Sequence, residues 1–415
     1  MTGHDRPIDA DFEEVFRVGA VDGEPWELFA SIKRVAFDER GNLYVFDDGG
    51  DLLEPDLRIV VFDRSGAFVR EFGRAGEGPG EFGRPASYGV MRNGIIVVGD
   101  RDHQAYHLFD ASGKLLRMVH DRNVTTRNGL SVSAVVSGPI QVDPRGGAVY
   151  KTTNDGVRRD TGIDHRSIWR RILDGEEIRS EVAVRAWRPP REPQPDAFEL
   201  SDDLPDITGD SGQTIDLREL YRGITRTPVF EPKVLYGLLP DGSIVYSDSS
   251  AWALKIAPPD GEGPVRTITR PIEPRPVTER VKEEHKRKTE ERRAARAPSP
   301  TMRRLEAMRA AVGGSTRSEP MISTREAPFY SVVPVIQRLS TTWDGRIWVM
   351  RQGDQILEDG PIDVVSADGE YAGTFPAGAT RTPNALGPDG LAAFIERDEF
   401  DVATVVVRRL PEGVR

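Results

Sequence analysis

Aspartate residues follow short runs of apolar residues at several points of the chain. Asp47 follows LYVF, Asp100 follows IIVVG and Asp248 follows IVYS. Carboxylate oxygens that converge on one point are the ligands that Ca²⁺ prefers, and they also attract a charged organic ligand. Arg351 and Arg397 follow comparable runs later in the chain. These residues predict a polar binding surface, provided that the fold brings them together.

Each of these aspartates also has an ordinary structural use, because its side chain can accept backbone N–H bonds and fix its own loop. The sequence leaves both interpretations open. His103 joins the candidates since it lies beside Asp102, where the binding surface is expected. No metal ligand is assigned. The predicted ligand-binding residues are Asp47, Asp100, His103, Asp248, Arg351 and Arg397.

Other kinds of chemistry find little support. The chain has no cysteine, which excludes disulfides, thiolate metal sites and a cysteine nucleophile. His103 and His107 are four residues apart, and on strand spacing they point to opposite faces, so they are not predicted to share a metal. Gly78, Gly80 and Gly83 spell G-x-G-x-x-G, but a strand follows where a nucleotide site needs a helix. No nucleotide cofactor is therefore predicted.

The elements that must position the candidates are short strands in a repeat. Residues 35–82 hold four runs rich in Val, Ile, Phe and Tyr, separated by Gly, Asp and Asn turns. A glycine-containing inner turn recurs six times, at 39–42, 92–94, 144–147, 240–243, 343–346 and 388–391. An outer turn follows five of them, at 63–66, 110–113, 173–177, 258–263 and 366–370. This rhythm predicts an all-β fold, a six-bladed β-propeller of four-stranded antiparallel blades.

The sixth repeat lacks a fourth strand, since residues 401–410 run into the C-terminus. The isolated strand pattern at 12–18 is predicted to fill that place, because a closed ring leaves no exposed strand edge. Residues 1–11 are expected to be loose.

The whole chain, residues 1–415, is predicted to be one propeller with two insertions. Residues 188–228 are rich in Pro and Asp and predict an irregular insertion. Residues 278–312 predict a helical insertion between blades four and five, formed by two helices that Ser299–Pro300 separates. Both insertions lie between blades, so both are expected to cover the face that carries the aspartates.

The segment GRAGEGPGEF at 73–82 follows the strand pattern RIVVFDRSGAFVREFG. In this it resembles a bacterial six-bladed β-propeller family related to NHL-repeat proteins. The resemblance covers blades one and two, whereas later blades share only the rhythm. It implies a propeller fold and an exported destination, periplasmic or at the cell surface, without assigned catalytic residues. The start MTGHDRPIDADF has no signal segment, so the sequence leaves the compartment open.

Composition limits the partners. The net charge is −11 and the pI is about 5.3, which argues against a nucleic-acid partner. No apolar run reaches the roughly 18 residues of a membrane helix. A monomer is expected.

The sequence thus predicts a binding or protein-interaction propeller whose partner is an unknown protein or small molecule. The alternative is a metal-dependent hydrolase or lyase of the six-bladed lactonase-like class, for which Ca²⁺ is the candidate cofactor.

Overall fold

A computed structural model gives the structure of most of the 415 residues. The residues that it describes are 3–50, 56–122, 125–127, 130–132, 136, 138–152, 157–159, 165–190, 196–201, 207–208, 214–215, 218, 224–259, 266–295, 322–399 and 401–415. Six four-stranded antiparallel sheets dominate this part of the chain. They form the six-bladed β-propeller that the spacing of the turns predicts.

In the first three blades, each sheet pairs its strands in chain order from the innermost to the outermost. Blade one contains Ile32–Phe37, Leu43–Asp47, Arg58–Phe62 and Phe68–Phe72. Blade two contains Pro85–Val90, Ile96–Asp100, Ala105–Phe109 and Leu115–His120. Blade three contains Gln141–Val142, Ala148–Thr152, His165–Ile172 and Arg179–Trp187.

The later blades repeat the arrangement. Blade four contains Leu235–Leu238, Ile244–Ser247, Ala253–Ala257 and Arg266–Thr269. Blade five contains Ile336–Thr341, Arg346–Gln352, Asp359–Ser366 and Tyr371–Phe375. Blade six contains Ala385–Leu386, Leu391–Arg397 and Ala403–Arg409, and takes its outermost strand from the other end of the chain.

That outermost strand of blade six is Glu13–Val18, which pairs antiparallel with Ala403–Arg409. Val18 is buried in a cluster with Val35 of blade one and Val405 of blade six. The predicted closure of the ring is therefore confirmed. The strand covers the edge that blade six would otherwise expose.

The outer turns explain why the D-x-x-G pattern repeats. The Oδ1 atom of Asp63 accepts the backbone N–H groups of Ser65 at 2.8 Å and Ala67 at 3.0 Å. Gly66 follows in the left-handed region, with φ of 86°. Asp110 makes the equivalent bonds in blade two. The aspartate thus accepts the backbone N–H groups of the turn, and the glycine adopts a conformation that is unfavourable for other residues.

The loop 73–84 leads from the outermost strand of blade one to the innermost strand of blade two. The Glu81 carboxylate accepts the backbone N–H of Gly78 at 2.9 Å and pairs with Arg74 at 2.6 Å. Phe82 is fully buried. Gly76 has φ of 154°, and a Cβ atom there would lie 2.1 Å from the Glu81 carboxylate, so another residue would be strained at this position. The glutamate and the glycines therefore fix the conformation of this loop.

The segment before the closing strand differs from its prediction. The backbone N–H of Ile8 donates to Thr374 O at 3.0 Å, and that of Thr374 donates to Arg6 O at 2.8 Å. The expectation that residues 1–11 are loose is wrong for 5–8. The outermost strand of blade five offers free backbone groups, and the tail pairs with them.

One α-helix, α1 (Glu279–Ala295), lies in the described part of the chain, and no described helix is long and apolar enough to cross a membrane. It covers the first of the two predicted helices; the second, after Ser299–Pro300, lies outside the described residues. Among the described residues, five short strand pairs lie outside the blades. Val157–Arg159 with Ile224–Arg226 joins one insertion to blade three, and Phe198–Leu200 with Ile322–Thr324 joins it to the segment after the other. The remaining pairs are Thr125–Arg127 with Leu130–Val132, Ile207–Thr208 with Thr214–Ile215, and Arg275–Pro276 with Val332–Val333. Two 3₁₀ turns lie at Pro25–Glu27 and Pro388–Gly390.

Candidate functional site

The connections between second and third strands share one end of the propeller with the connections between blades, as antiparallel pairing requires. Asp47 ends the second strand of blade one at this end and is buried. Its carboxylate accepts the backbone N–H groups of Ser31 at 2.6 Å and Ala30 at 3.2 Å, and Arg58 pairs with it at 3.1 Å. The side chain thus fixes the segment that enters blade one.

Asp100 occupies the equivalent position in blade two and is also buried. It accepts the backbone N–H groups of Gly83 at 2.7 Å, Asp102 at 2.9 Å and Arg84 at 3.0 Å. Burial alone would raise the pKa of the Asp100 carboxyl, but these donors together outweigh burial and hold the pKa below its usual value. Asp100 is therefore an anion that anchors the end of loop 73–84.

Asp248 follows the second strand of blade four and is buried as well. Its carboxylate accepts the backbone N–H of Trp187 at 2.7 Å and pairs with Lys255 at 2.8 Å. The Asp248 backbone carbonyl accepts a bond from buried Arg166 at 2.9 Å. Asp248 therefore ties the last strand of blade three to blade four.

The two predicted arginines have partners close at hand. Arg351 pairs with Asp5 at 2.5 Å and lies 3.4 Å from Asp363. Arg397 pairs with Asp401 at 3.1 Å across its own hairpin and is largely exposed. Among the described residues, the contacts of the six predicted side chains bring only Asp100 and His103 together. Their use as ligand contacts stays a prediction.

Asp100, His103 and His107 form a compact cluster in blade two. One potential ligand atom from each lies within 4.8 Å of the others. His103 Nδ1 is 3.2 Å from an Asp100 carboxylate oxygen, and the two imidazole rings are 5.0 Å apart. The prediction that the two histidines point to opposite faces is wrong. His103 lies in the turn 101–104, in which Gln104 has φ of 50°. Because His103 is not part of a strand, strand alternation does not apply to it.

His107 is fully buried, between Phe82 and Phe109 at ring-centre distances of 5.7 and 6.3 Å. Burial lowers the pKa of His107 to about 4, so the ring is neutral at physiological pH. Neither of its ring nitrogens has a hydrogen-bond partner among the described residues. The packing against aromatic rings fits the sequence, whereas the orphaned nitrogens need an explanation.

The two insertions build a cleft of about 570 Å³ that sequence reasoning did not identify. Helix α1 forms one wall, and residues 325–329 form another. Four basic and four acidic residues line the cleft, namely Arg226, Lys282, Lys286 and Arg325, and Asp196, Glu279, Glu283 and Glu326. The alternation of Glu with Lys and Arg on α1 indicates the charged lining of the cleft. The cleft itself could not be predicted, because its walls come from segments that are distant in sequence.

Helix α1 is attached to the end of blade five that carries the second-to-third strand connection. The Glu284 carboxylate accepts the backbone N–H of Ile356 at 3.0 Å, and Lys288 pairs with Glu358 at 2.7 Å. Val281 is buried against Val333 and Ile356. These contacts fix the helix to the end of blade five.

Comparison with known families supports the fold. A family model described as "6-bladed beta-propeller" matches residues 27–121, which cover blades one and two. The relation to NHL repeats, inferred from the 73–82 segment, stays a prediction. No curated protein matches the chain.

Several solved structures are similar to the chain. A DUF4221-family protein from Bacteroides vulgatus is 11% identical with a TM-score of 0.48, over 97% of this chain and 98% of that one. A Bacteroides fragilis protein is 11% identical with a TM-score of 0.45, over 99% of each chain. The calcium-binding protein regucalcin from Agrobacterium tumefaciens is 13% identical with a TM-score of 0.37, over 96% of each chain.

Proposed function

We propose that the chain is a binding propeller that engages a protein partner through the cleft between its two insertions. The observation that carries the proposal is the joint construction of this cleft. Phe198–Leu200 of one insertion pairs with Ile322–Thr324 beside the other, and α1 lines the opening between them. A surface built from two separate insertions and attached to the propeller is an expected place for recognition.

The lining of the cleft supports a polypeptide as the occupant. Its charged side chains already form internal pairs, such as Lys282 with Glu279 and Lys286 with Glu326, each at 2.7 Å. Equal numbers of both signs offer no excess charge to a simple anion or cation. A peptide segment that carries both charges could exchange these pairs at the rim and place an apolar side chain against Phe329.

The hydrolase or lyase alternative receives less support. It requires several oxygen ligands that are free to bind one metal ion at the channel mouth. Asp47 and Asp248 instead direct carboxylate oxygens at backbone N–H groups of their own or neighbouring blades. Among the described residues, these contacts favour the loop-anchor interpretation of the two aspartates over the metal-ligand interpretation.

Photo-crosslinking tests the proposal. A photoreactive residue replaces Lys286 in the cleft, and in the control it replaces Glu39, which is exposed in an inner turn at the opposite end. We expect a discrete protein adduct from position 286 only. The partner identified from the adduct is then purified in free form. It is titrated against the wild type and the Lys286→Glu/Arg325→Glu variant.

The double variant is expected to weaken binding at least about tenfold, because two cations of the cleft are reversed. Lys114→Glu, on the opposite end, serves as the matched control. Equal adducts from both positions, or an unchanged affinity in the double variant, would contradict the cleft as the recognition surface.

A further inference from the structure

We infer that Asp100, His103 and His107 form a binding site for a single zinc-type divalent cation, which fastens loop 73–84 to blade two. The site is independent of the cleft, since it is built from blade two and the preceding loop. Three chain segments converge on it: the end of the second strand, the turn 101–104, and the third strand.

The first argument is the contact between His103 and Asp100. His103 Nε2 is 3.3 Å from the backbone carbonyl of Glu77. A carbonyl oxygen only accepts, so Nε2 carries the proton in that bond, and in the neutral form of the ring Nδ1 then presents a lone pair. This lone pair faces an anionic carboxylate oxygen at 3.2 Å. Two acceptors at this distance need a proton or a metal ion between them.

The distance suits a metal. Zinc binds imidazole nitrogen and carboxylate oxygen at about 2.0–2.2 Å, so neighbouring ligand atoms of a tetrahedral ion lie about 3.3 Å apart. The observed 3.2 Å between His103 Nδ1 and the Asp100 oxygen is close to that value. The bond to Glu77 O would fix the ring orientation, as outer hydrogen bonds of metal-binding histidines commonly do.

The second argument is His107. It is fully buried, and both of its ring nitrogens lack a hydrogen-bond partner among the described residues. A buried imidazole without a partner loses the hydrogen bonds that it makes to water in the unfolded chain. A nitrogen that lies within 4.8 Å of the other two ligand atoms can recover this loss by binding the same ion. A proton between His103 and Asp100 leaves His107 unexplained.

The ligand set selects the metal. Two imidazoles and one carboxylate favour zinc and neighbouring transition ions over Ca²⁺ or Mg²⁺, which prefer oxygen ligands alone. Three protein ligands leave one position of a tetrahedron for water. Asp100 and His107 are fully buried and the His103 side chain is 16% exposed, which favours an ion that holds a loop over one that receives a substrate.

The loop is already connected to the proposed ligands. Asp100 accepts the N–H groups of Gly83 and Arg84, and His103 contacts Glu77 O. An ion that fixes Asp100 and His103 therefore also fixes both parts of the loop. We expect zinc to lower hydrogen exchange of the amides in residues 76–84 and to raise the melting temperature.

The test uses the full chain without a histidine tag, stripped with a chelator and titrated with Zn²⁺ by calorimetry, and separately with Co²⁺ for its visible spectrum. The expected result is one equivalent of Zn²⁺ and the visible bands of four-coordinate Co²⁺. Loss of an outer-shell partner commonly weakens metal binding 10–100-fold, so loss of a ligand in His103→Ala should weaken it by about 100-fold or more. His4→Ala is the control, because this exposed histidine lies outside the cluster.

His107→Phe provides a second variant that retains an aromatic ring between Phe82 and Phe109. It should also lose Zn²⁺ binding and the exchange protection, while melting like the chelated wild type. Should His107→Phe fail to fold, the His103→Ala result still decides. Absence of Zn²⁺ binding, or binding of unchanged strength in His103→Ala, would overturn the site.

Discussion

Arg270 and Asp363 form a fully buried ion pair between blades four and five, with 2.7 Å between the guanidinium and the carboxylate. Asp363 also accepts bonds from Trp252 Nε1 at 2.7 Å and Thr374 Oγ1 at 2.6 Å. Asp5 of the N-terminal tail pairs with Arg270 at 3.1 Å. One carboxylate therefore connects two blades, and the tail that lies along blade five completes the network.

Replacing Asp363 by Asn should destabilise the fold by about 3–5 kcal/mol, because Arg270 would stay buried with only the partly exposed Asp5 as a counter-charge. Urea unfolding measures the free energy. The double variant Asp363→Leu/Arg270→Met should lose less than Asp363→Asn, since no charge is then left alone in the interior. A loss under 1 kcal/mol in Asp363→Asn would show that the network contributes little.

The closing strand gives a second prediction. Deleting residues 1–19 should lower the melting temperature strongly and promote association, because it exposes the edge of Ala403–Arg409 and opens the cluster around Val18 and Val405. Thermal melting and size-exclusion chromatography measure both effects. Deleting only residues 1–8 removes Asp5 and the contacts with Thr374, and should cost less. Equal melting of the 1–19 deletion and the full chain would contradict the role of the strand.

The fold was predictable because its signals are local. Each turn carries its own glycine and aspartate, as in the bonds of Asp63 to Ser65 and Ala67, so the spacing of these residues counts the blades. The missing strand of blade six then follows from the count. The tail was not predictable, because the backbone groups of Thr374 with which it pairs lie at the far end of the sequence.

The site was less predictable because its geometry depends on turns and on distant partners. Strand alternation separates His103 from His107, but the short turn that ends at Gln104 returns His103 to the same side. Asp363 lies within the third strand of blade five among apolar residues, and no nearby residue indicates a contact with Arg270. The sequence separation between side chains that contact each other across blades follows no fixed pattern.

Lys151 predicts a dependence of stability on pH. It is buried in the second strand of blade three, and burial lowers its pKa to about 8. An unfolded lysine has a pKa of about 10.4, so between these values the unfolded chain binds more protons than the folded chain. The contribution of Lys151 to the free energy of unfolding therefore rises as the pH increases from about 8 to 10.4.

The measurement compares urea unfolding of the wild type and Lys151→Met at several pH values. The wild type should gain stability relative to Lys151→Met as the pH rises from about 8 towards 10. Lys114→Met, at an exposed turn, should show no such trend. A constant difference between the wild type and Lys151→Met would mean that Lys151 titrates normally in the fold.

Asp248 tests whether the acids at the strand ends are anchors. Asn at this position keeps one acceptor oxygen for the N–H of Trp187 but loses the charge that pairs with Lys255. We expect Asp248→Asn to lower the free energy of unfolding by about 1–3 kcal/mol. In the Lys255→Met background the same substitution should cost less, because the ion pair is already absent. Urea unfolding of the four proteins gives the coupling energy.

The affinity of Asp248→Asn for the partner captured from position 286 should not change. An unaltered stability with a weakened affinity would instead place Asp248 in the binding site, as the sequence alone had suggested.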